Sequence, residues 1–474
     1  MNKIDARNPR TGALDYQFTA TSADEVSAIA ARLALGQASW AADLDSRLAA
    51  LEAWAVSMET HREELFAAVT ADTGRRSVSA LEVDGMVRRI RYWIEQAPAL
   101  LAPPPEARSG NAANVGYLLQ GVPVGLVGVI SPWNFPLTLS LVDAIPALAA
   151  GCAVLLKPSE ITSRFAPVLQ KTIDAVPELA AVFHVVVGAG ETGGAVVDNV
   201  DMLCFTGSVG TGRKVAVRCA ENFIPTCLEL GGKDPAIVLA DADLDIAADA
   251  ILRSAAGSNG QACMSLERVF VHASVCDSFV AKICERAQAL QFNGPDIHSG
   301  QLPPYIFGLQ ADKVAAQLQD ALDKGAVMHC GGMPEDVGGG AWQRPTVLTN
   351  ISTDMLLMHE ETFGPLIPIL PFDSDEQAVA MANDSQFGLS GSVFGNEDHA
   401  ITVASQLQVG AVGINDASMT ALIHDVEKQS FKHSGMGPSR MGDQGLLRFL
   451  KTRAIMIQRD KPATMAVFDE SLMP

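Results

Sequence analysis

Apolar residues recur at i, i+3 and i+4 through residues 22–56 and 59–102, predicting amphipathic helices. Ser22 and Asp24 suit a helix start, Thr73-Gly74 an interruption, and Pro103-Pro104-Pro105 a stop. Residues 116–120 form a short extended segment that leaves this unit. Short apolar runs and helical stretches then alternate. Strands are expected at 124–130, 153–156, 185–187, 202–206 and 225–229, and helices at 137–149, 165–175, 192–199 and 212–221. That βαβ rhythm predicts a doubly wound parallel sheet with ligands at the carboxyl ends of its strands. A second α/β stretch follows, with a helix at 246–258, a strand at 268–271 and a long helix at 274–290. Gly/Pro-rich loops occupy 331–345. Residues 452–458 read as a final strand, free to pair near residue 117 or with another subunit.

Composition adds bounds to this α/β picture. The 474 residues, 48% hydrophobic, are enough for two substantial cores. A net charge of −20 argues against nucleic acid or an anionic membrane as partner. An acidic chain can still hold an anionic dinucleotide through local N–H groups and a few basic side chains. The eight cysteines have no C-x-x-C spacing and no zinc-finger pattern, so no metal centre is expected and a reducing compartment is. The opening residues lack an apolar core for export, and no apolar run is long enough to span a membrane, so cytoplasm is the expected location.

Candidate chemistry centres on Cys263, in Asn259-Gly260-Gln261-Ala262-Cys263-Met264-Ser265. Gly260 and Ala262 allow a substrate to approach the backbone, and Asn259 and Gln261 suit a polar loop rather than a core. Most cysteines are buried hydrophobes, so this segment draws its weight from others. In Ser131-Pro132-Trp133-Asn134-Phe135-Pro136, after a strand, Asn134 can offer its amide to a developing oxyanion. Leu228-Glu229-Leu230-Gly231-Gly232-Lys233 sets a carboxylate between leucines, an apolar setting that suits a general base. On local grounds alone, a rigid strand-end turn fits the Asn134 segment better, and an ordinary strand-end carboxylate fits the Glu229 segment equally well.

Other segments suit a dinucleotide. Lys157-Pro158-Ser159-Glu160 follows a strand and places an ammonium and a carboxylate where ribose hydroxyls need them. A carboxylate there repels a 2′-phosphate and so favours NAD over NADP. Gly188-Ala189-Gly190-Glu191-Thr192-Gly193 matches G-x-G-x-x-G, without a clear acidic residue closing the next strand. Phe205-Thr206-Gly207-Ser208, before a helix, competes for the pyrophosphate and is the preferred site. Glu361-Thr362-Phe363-Gly364-Pro365 adds a carboxylate and an aromatic face.

Taken in order, these segments resemble the NAD(P)-dependent aldehyde dehydrogenase superfamily over nearly the whole chain, including Ala382-Asn383-Asp384, Phe387-Gly388-Leu389 and Gly413-Ile414-Asn415. The resemblance implies a Rossmann-like cofactor domain, an α/β catalytic domain and a β-hairpin that assembles dimers or tetramers. The corresponding division is 1–106 with 124–231, then 232–448, then 107–123 with 449–474. It implies Cys263 as nucleophile, Asn134 and the Cys263 N–H as oxyanion donors, and Glu229 as the base that activates water. The implied cofactor is NAD, held by Ile130, Ser131, Pro132, Trp133, Lys157, Ser159, Glu160, Gly190, Phe205, Thr206, Gly207, Ser208, Leu230, Gly231, Glu361 and Phe363.

One segment departs from the family pattern. Where many members are glycine-rich, this chain reads Gln429-Ser430-Phe431-Lys432-His433-Ser434-Gly435-Met436-Gly437, with Lys432 one residue early. Phe135, Leu139, Val142, Met264 and Met419, with Leu422, Ile423 and His424, are candidates for the wall of a tunnel to a small-molecule aldehyde. Residues 415–423 carry no Arg or Lys, which favours an uncharged aryl or longer alkyl aldehyde. Two other readings remain open: a relative that transfers the acyl group to CoA, and a dinucleotide-binding protein without turnover.

Overall fold

The structure, a computed structural model, describes residues 3–472; the outer ends of the expected first and third units, 1–2 and 473–474, lie outside the described residues. The two N-terminal amphipathic stretches fold as four helices, Ala23–Ala42, Leu44–Thr60, Arg62–Thr73 and Arg76–Leu101. Ser22 caps the first in a capping box with Glu25, Asp43 caps the second through the Ser46 N–H, and Gly74 ends the third at φ 69°. The break at Asp43 is a correction to the single helix expected over 22–56; the boundary expected between 56 and 59 falls at His61, and the interruption at Thr73-Gly74 is where the sequence placed it. An antiparallel pair, Lys3–Arg7 with Leu14–Thr19, precedes them and was not expected.

A six-stranded sheet carries the βαβ rhythm. Its order is Gly435–Met436, Thr226–Glu229, Met202–Thr206, Leu126–Ile130, Ala153–Lys157 and Phe183–Val185. All pairs are parallel except the first, where Gly435 and Met436 lie antiparallel to Glu229 and Leu228. Chain order reverses between the 126–130 and 202–206 strands, the switch point at which such sheets open a crevice outside their carboxyl ends. Five-residue strands with every residue buried, as at Leu126–Ile130 and Ala153–Lys157, are what helices on both faces require.

After Glu229 the chain turns through Gly231-Gly232 into Asp234–Val238, part of a seven-stranded sheet. Its order is Val327–Cys330, Thr346–Thr349, Leu366–Phe372, Leu266–His272, Asp234–Val238, Gly391–Phe394 and Val412–Ile414, with only the first strand antiparallel. The amino ends of its central strands therefore meet the carboxyl ends of the first sheet. A third sheet pairs Leu450–Gln458 with Val115–Pro123 over nine positions, and Ala107–Arg108 completes it. Among the described residues, no helix is long and apolar enough to cross a membrane.

Candidate active site

Cys263 is half-buried in the turn that enters the Leu266–His272 strand. Three successive residues before it, Ser258, Asn259 and Gly260, have φ of 55°, 59° and 70°. At Gly260 a Cβ would lie 2.5 Å from the Gly364 carbonyl oxygen, so only glycine lets the thiol loop close against the 361–365 segment. Asn259 and Gln261 are fully buried, which corrects the polar-loop expectation. Gln261 is fixed at both ends of its amide: Oε1 accepts from the Ile306 N–H at 2.8 Å, and Nε2 donates to Ser258 O and Pro304 O. Its side chain acts as a brace inside the fold.

The Gln261 carbonyl accepts from Asn134 Nδ2 at 3.0 Å, which ties the thiol loop to the turn after the 126–130 strand. The second hydrogen of that amide and the Cys263 N–H have no acceptor among the described residues. Asn134 is 3% exposed. Its own carbonyl accepts from buried Arg75, whose guanidinium also stacks 4.8 Å from the Phe135 ring. Glu82, 3.7 Å from Arg75, accepts from the Leu137 and Thr138 N–H groups and so caps the Pro136–Ala149 helix, which lacks a side-chain cap of its own. Burial pushes the Glu82 carboxyl up to about 7, against Arg75 and the two N–H groups, which pull it down. Neither Arg75 nor Glu82 is distinguishable by pattern inside the helical run. The adjoining Thr73-Gly74 is the nearest sequence signal.

Glu229 ends its strand half-buried, and its surroundings correct the apolar expectation. Leu228 and Leu230 are buried, while the carboxylate itself meets Ser430 Oγ at 3.3 Å and Lys428 Nζ at 3.5 Å. Glu361 packs over the Gly231-Gly232 turn, where its Oε1 accepts from the Gly232 N–H at 3.1 Å and a Cβ on Gly231 would stand 2.5 Å from the same oxygen. Burial, then Glu267, pushes the Glu361 carboxyl up to about 7. Burial also pushes the Cys263 thiol up to about 12; Asp234, Glu229 and Glu361 add to the rise and Lys428 opposes it. The resting group is a thiol.

Phe363, at φ 56°, lies edge-on to Trp133 with ring centroids 5.4 Å apart. Its segment is pinned by Glu267, which accepts from the Thr362 and Phe363 N–H groups and from Lys233 Nζ, each at 2.7 Å. Sequence reasoning missed Glu267, and Lys233 was visible only as the end of its motif.

The dinucleotide candidates line the carboxyl ends of the first sheet. Ile130 is the buried last residue of its strand, Ser131 Oγ pairs with Ser140 Oγ at 2.7 Å, and Pro132 is half-buried. Lys157 Nζ donates to the Pro158 and Gly188 carbonyls at 2.9 and 2.7 Å and lies 3.7 Å from Glu160. Ser159 caps the Glu160–Thr162 turn. Phe205 and Thr206 are buried at a strand end, and Gly207 leads to exposed Ser208, which caps the Val209–Glu221 helix. Leu230 packs against Gly212 in that helix. Gly190 opens a different helix, Gly190–Asp198, and is exposed. A Cβ on Gly210 would meet nothing within 4 Å, so the start of the Ser208-capped helix is open to a ligand. A 13-residue helix with an open first turn beyond its Ser208 cap, a lysine and a carboxylate at a neighbouring strand end, and an aromatic pair fit a dinucleotide.

Of the wall candidates, Phe135 and Leu139 are half-buried and Val142 is 9% exposed. Met264 touches Thr420, next to Met419 in the Met419–Ala421 turn. The cation-free stretch 415–423 is not the whole wall, because Lys428 stands beside Glu229. In the atypical segment, Lys432 Nζ donates to the Asn383 and Ser385 carbonyls and anchors the loop.

Residues 1–455 match the aldehyde dehydrogenase family. This chain is an aldehyde dehydrogenase. It is 34% identical to a Mycolicibacterium smegmatis protein named as an NADP-dependent succinate-semialdehyde dehydrogenase, over 96% of this chain and 90% of that one. The solved structure of PutA from Anabaena variabilis, classed with the aldehyde dehydrogenases, superposes with a TM-score of 0.95 at 45% identity, covering 98% of this chain and 99% of that one. Betaine aldehyde dehydrogenase of Staphylococcus aureus, solved with NAD+, gives 0.90 at 29% identity over 98% and 96%. The enzyme is thus an oxidoreductase of a family that uses NAD or NADP.

Proposed function

We propose that this aldehyde dehydrogenase oxidises an aldehyde to the carboxylic acid through Cys263, with NAD as oxidant. The observation that supports the reading is a half-buried thiol on a loop tied to the Asn134 amide, its own N–H without an acceptor among the described residues, and the Glu229 carboxylate near enough to push that thiol's pKa up. The Cys263 proton passes to water as its sulfur adds to the aldehyde carbon and the carbonyl electron pair moves onto the oxygen. The oxygen of the resulting thiohemiacetal is held by the Asn134 amide and the Cys263 N–H. Bound NAD supplies the hydride acceptor. Cys263 is then left as a thioester, and Glu229 takes a proton from the water that cleaves it. Lys157, Glu160, Ser208, Glu361 and Phe363 are assigned to the dinucleotide, and the Glu160 carboxylate favours NAD over NADP. Phe135, Leu139, Val142, Met264 and Met419 are assigned to the substrate wall.

The same reading assigns the sheet of Val115–Pro123 and Leu450–Gln458 to assembly of a homodimer or homotetramer, on either side of the 1–106 with 124–231 and 232–448 units. Met456 on its outer strand is 76% exposed, which suits a surface awaiting a partner. Eight free cysteines fit the cytoplasm. The test is NADH formation by purified protein with NAD and short alkyl, aryl and carboxylated aldehydes. Turnover that disappears in Cys263→Ala supports the proposal. Turnover only with added CoA would replace water by a thiol acceptor, and none under either condition would contradict the assignment.

A further inference from the structure

Lys428 is the group the mechanism above does not use. Its side chain is 9% exposed, and a lysine so placed ordinarily gives its donors to protein acceptors. The buried lysines elsewhere obey that rule. Lys157 donates to two carbonyls at 2.9 and 2.7 Å, and Lys233 to Glu267 and Thr362 at 2.7 and 2.8 Å. Lys428 has only Glu229, at the long distance of 3.5 Å, and its ammonium makes no hydrogen bond among the described residues. Two or more donors are therefore left without a protein acceptor among the described residues.

Those donors border a space. A cavity of about 240 Å³ is lined by Lys428 with Met419, Thr420, Ile423, Val426 and Met441. Thr420 touches Met264, the residue after Cys263, so the cavity lies against the thiol loop. Its one other charged lining residue, Glu427, is exposed and accepts from the Gln444 N–H at 3.3 Å. The chain as a whole carries −20, which repels an anion at a distance, so an anionic substrate needs a local cation to be held. The volume is below the roughly 300–1,000 Å³ of pockets for drug-sized ligands, which suits a chain of a few carbons.

We propose that Lys428 is a specificity-determining residue that binds the carboxylate of a short-chain aldehyde acid, an ω-oxo carboxylate, while its aldehyde end reaches Cys263. This rests on the dehydrogenase reading of the site. The substrate carboxylate takes the unused donors and draws the ammonium off Glu229, which leaves the base free for water.

The experiment compares 4-oxobutanoate with butanal in the native enzyme, Lys428→Met and Lys428→Arg. A second readout uses native enzyme without NAD: alkylation of Cys263 by iodoacetamide, followed by mass spectrometry, with succinate or succinamide present. The native enzyme is expected to prefer 4-oxobutanoate by tenfold or more in kcat/KM. Lys428→Met should lose most of that ratio through KM, Lys428→Arg should keep part of it, and succinate alone should protect the thiol. A preference for butanal overturns the inference. So does an equal fall on both substrates with the ratio unchanged, which is what a role confined to Glu229 would give; in either case the dehydrogenase reading stands. No oxidation of either aldehyde, yet protection by succinate, would overturn the dehydrogenase reading and leave the anion subsite in place. Without protection, both fail.

Discussion

Glu267 gives the sharpest test of how the cofactor-side segment is held. Its carboxylate is 3% exposed and serves three donors at 2.7 Å: the Thr362 and Phe363 N–H groups and the Lys233 ammonium. In Glu267→Met, Lys233 stays fully buried with Thr362 Oγ1 at 2.8 Å as its remaining partner. Breaking one side of a buried ion pair costs about 3–5 kcal/mol. Each backbone N–H left without an acceptor adds about 1–3 kcal/mol. Relaxation lets these costs overlap, so a loss of about 5 kcal/mol is expected in urea unfolding of the unit that contains the 361–365 segment. Lys233→Met in the same chain removes the stranded ammonium and should recover about 3 kcal/mol, the part due to the ion pair. Glu361 and Phe363 flank the freed N–H groups, so KM for NAD should rise in Glu267→Met and stay raised in the double variant. A loss under about 1 kcal/mol, or a double variant no more stable than Glu267→Met, would refute the reasoning.

Two further predictions follow from the thiol loop. Gly260→Ala places a methyl 2.5 Å from the Gly364 carbonyl oxygen at φ 70°, so kcat should fall at least tenfold and the thermal midpoint should drop; unchanged kinetics would contradict the loop geometry. Cys263 is pushed up to about 12, so its thiolate fraction rises tenfold per pH unit below that value. Iodoacetamide alkylation of the native enzyme without NAD should therefore accelerate steadily from pH 7 to 10, and a plateau below pH 8 would contradict it.

Much of the fold was legible in the chain. The strand at Met202–Thr206 fell where its apolar run ends, and the helix after Asn134 where Pro136 begins it. The break at Asp43 was not, because a one-residue cap leaves the 3.6-residue apolar rhythm on either side nearly intact. The N-terminal strand pair had its signal in Asn8-Pro9-Arg10-Thr11-Gly12, a turn that closes with Gly12 at φ 68°. At the site, sequence identified residues whose type announces chemistry: a thiol, an amide and a carboxylate next to glycines. It could not identify Arg75, Glu82, Glu267 or Lys428. Their roles arise from contacts between residues far apart in sequence, as when Lys428 meets Glu229 or Glu267 meets Phe363. It also misjudged Gln261, whose amide is buried because backbone groups of three other residues satisfy it.

The most direct measurement is intact-protein mass spectrometry of Glu229→Gln after mixing with NAD and an aldehyde. With Cys263 as nucleophile and Glu229 as the base for water, the spectrum should show one acyl group per chain. Proteolysis should place it on Cys263, with NADH released in a single stoichiometric burst. Steady turnover without an adduct would contradict the role given to Glu229, and an acyl group on any other residue would contradict the role given to Cys263.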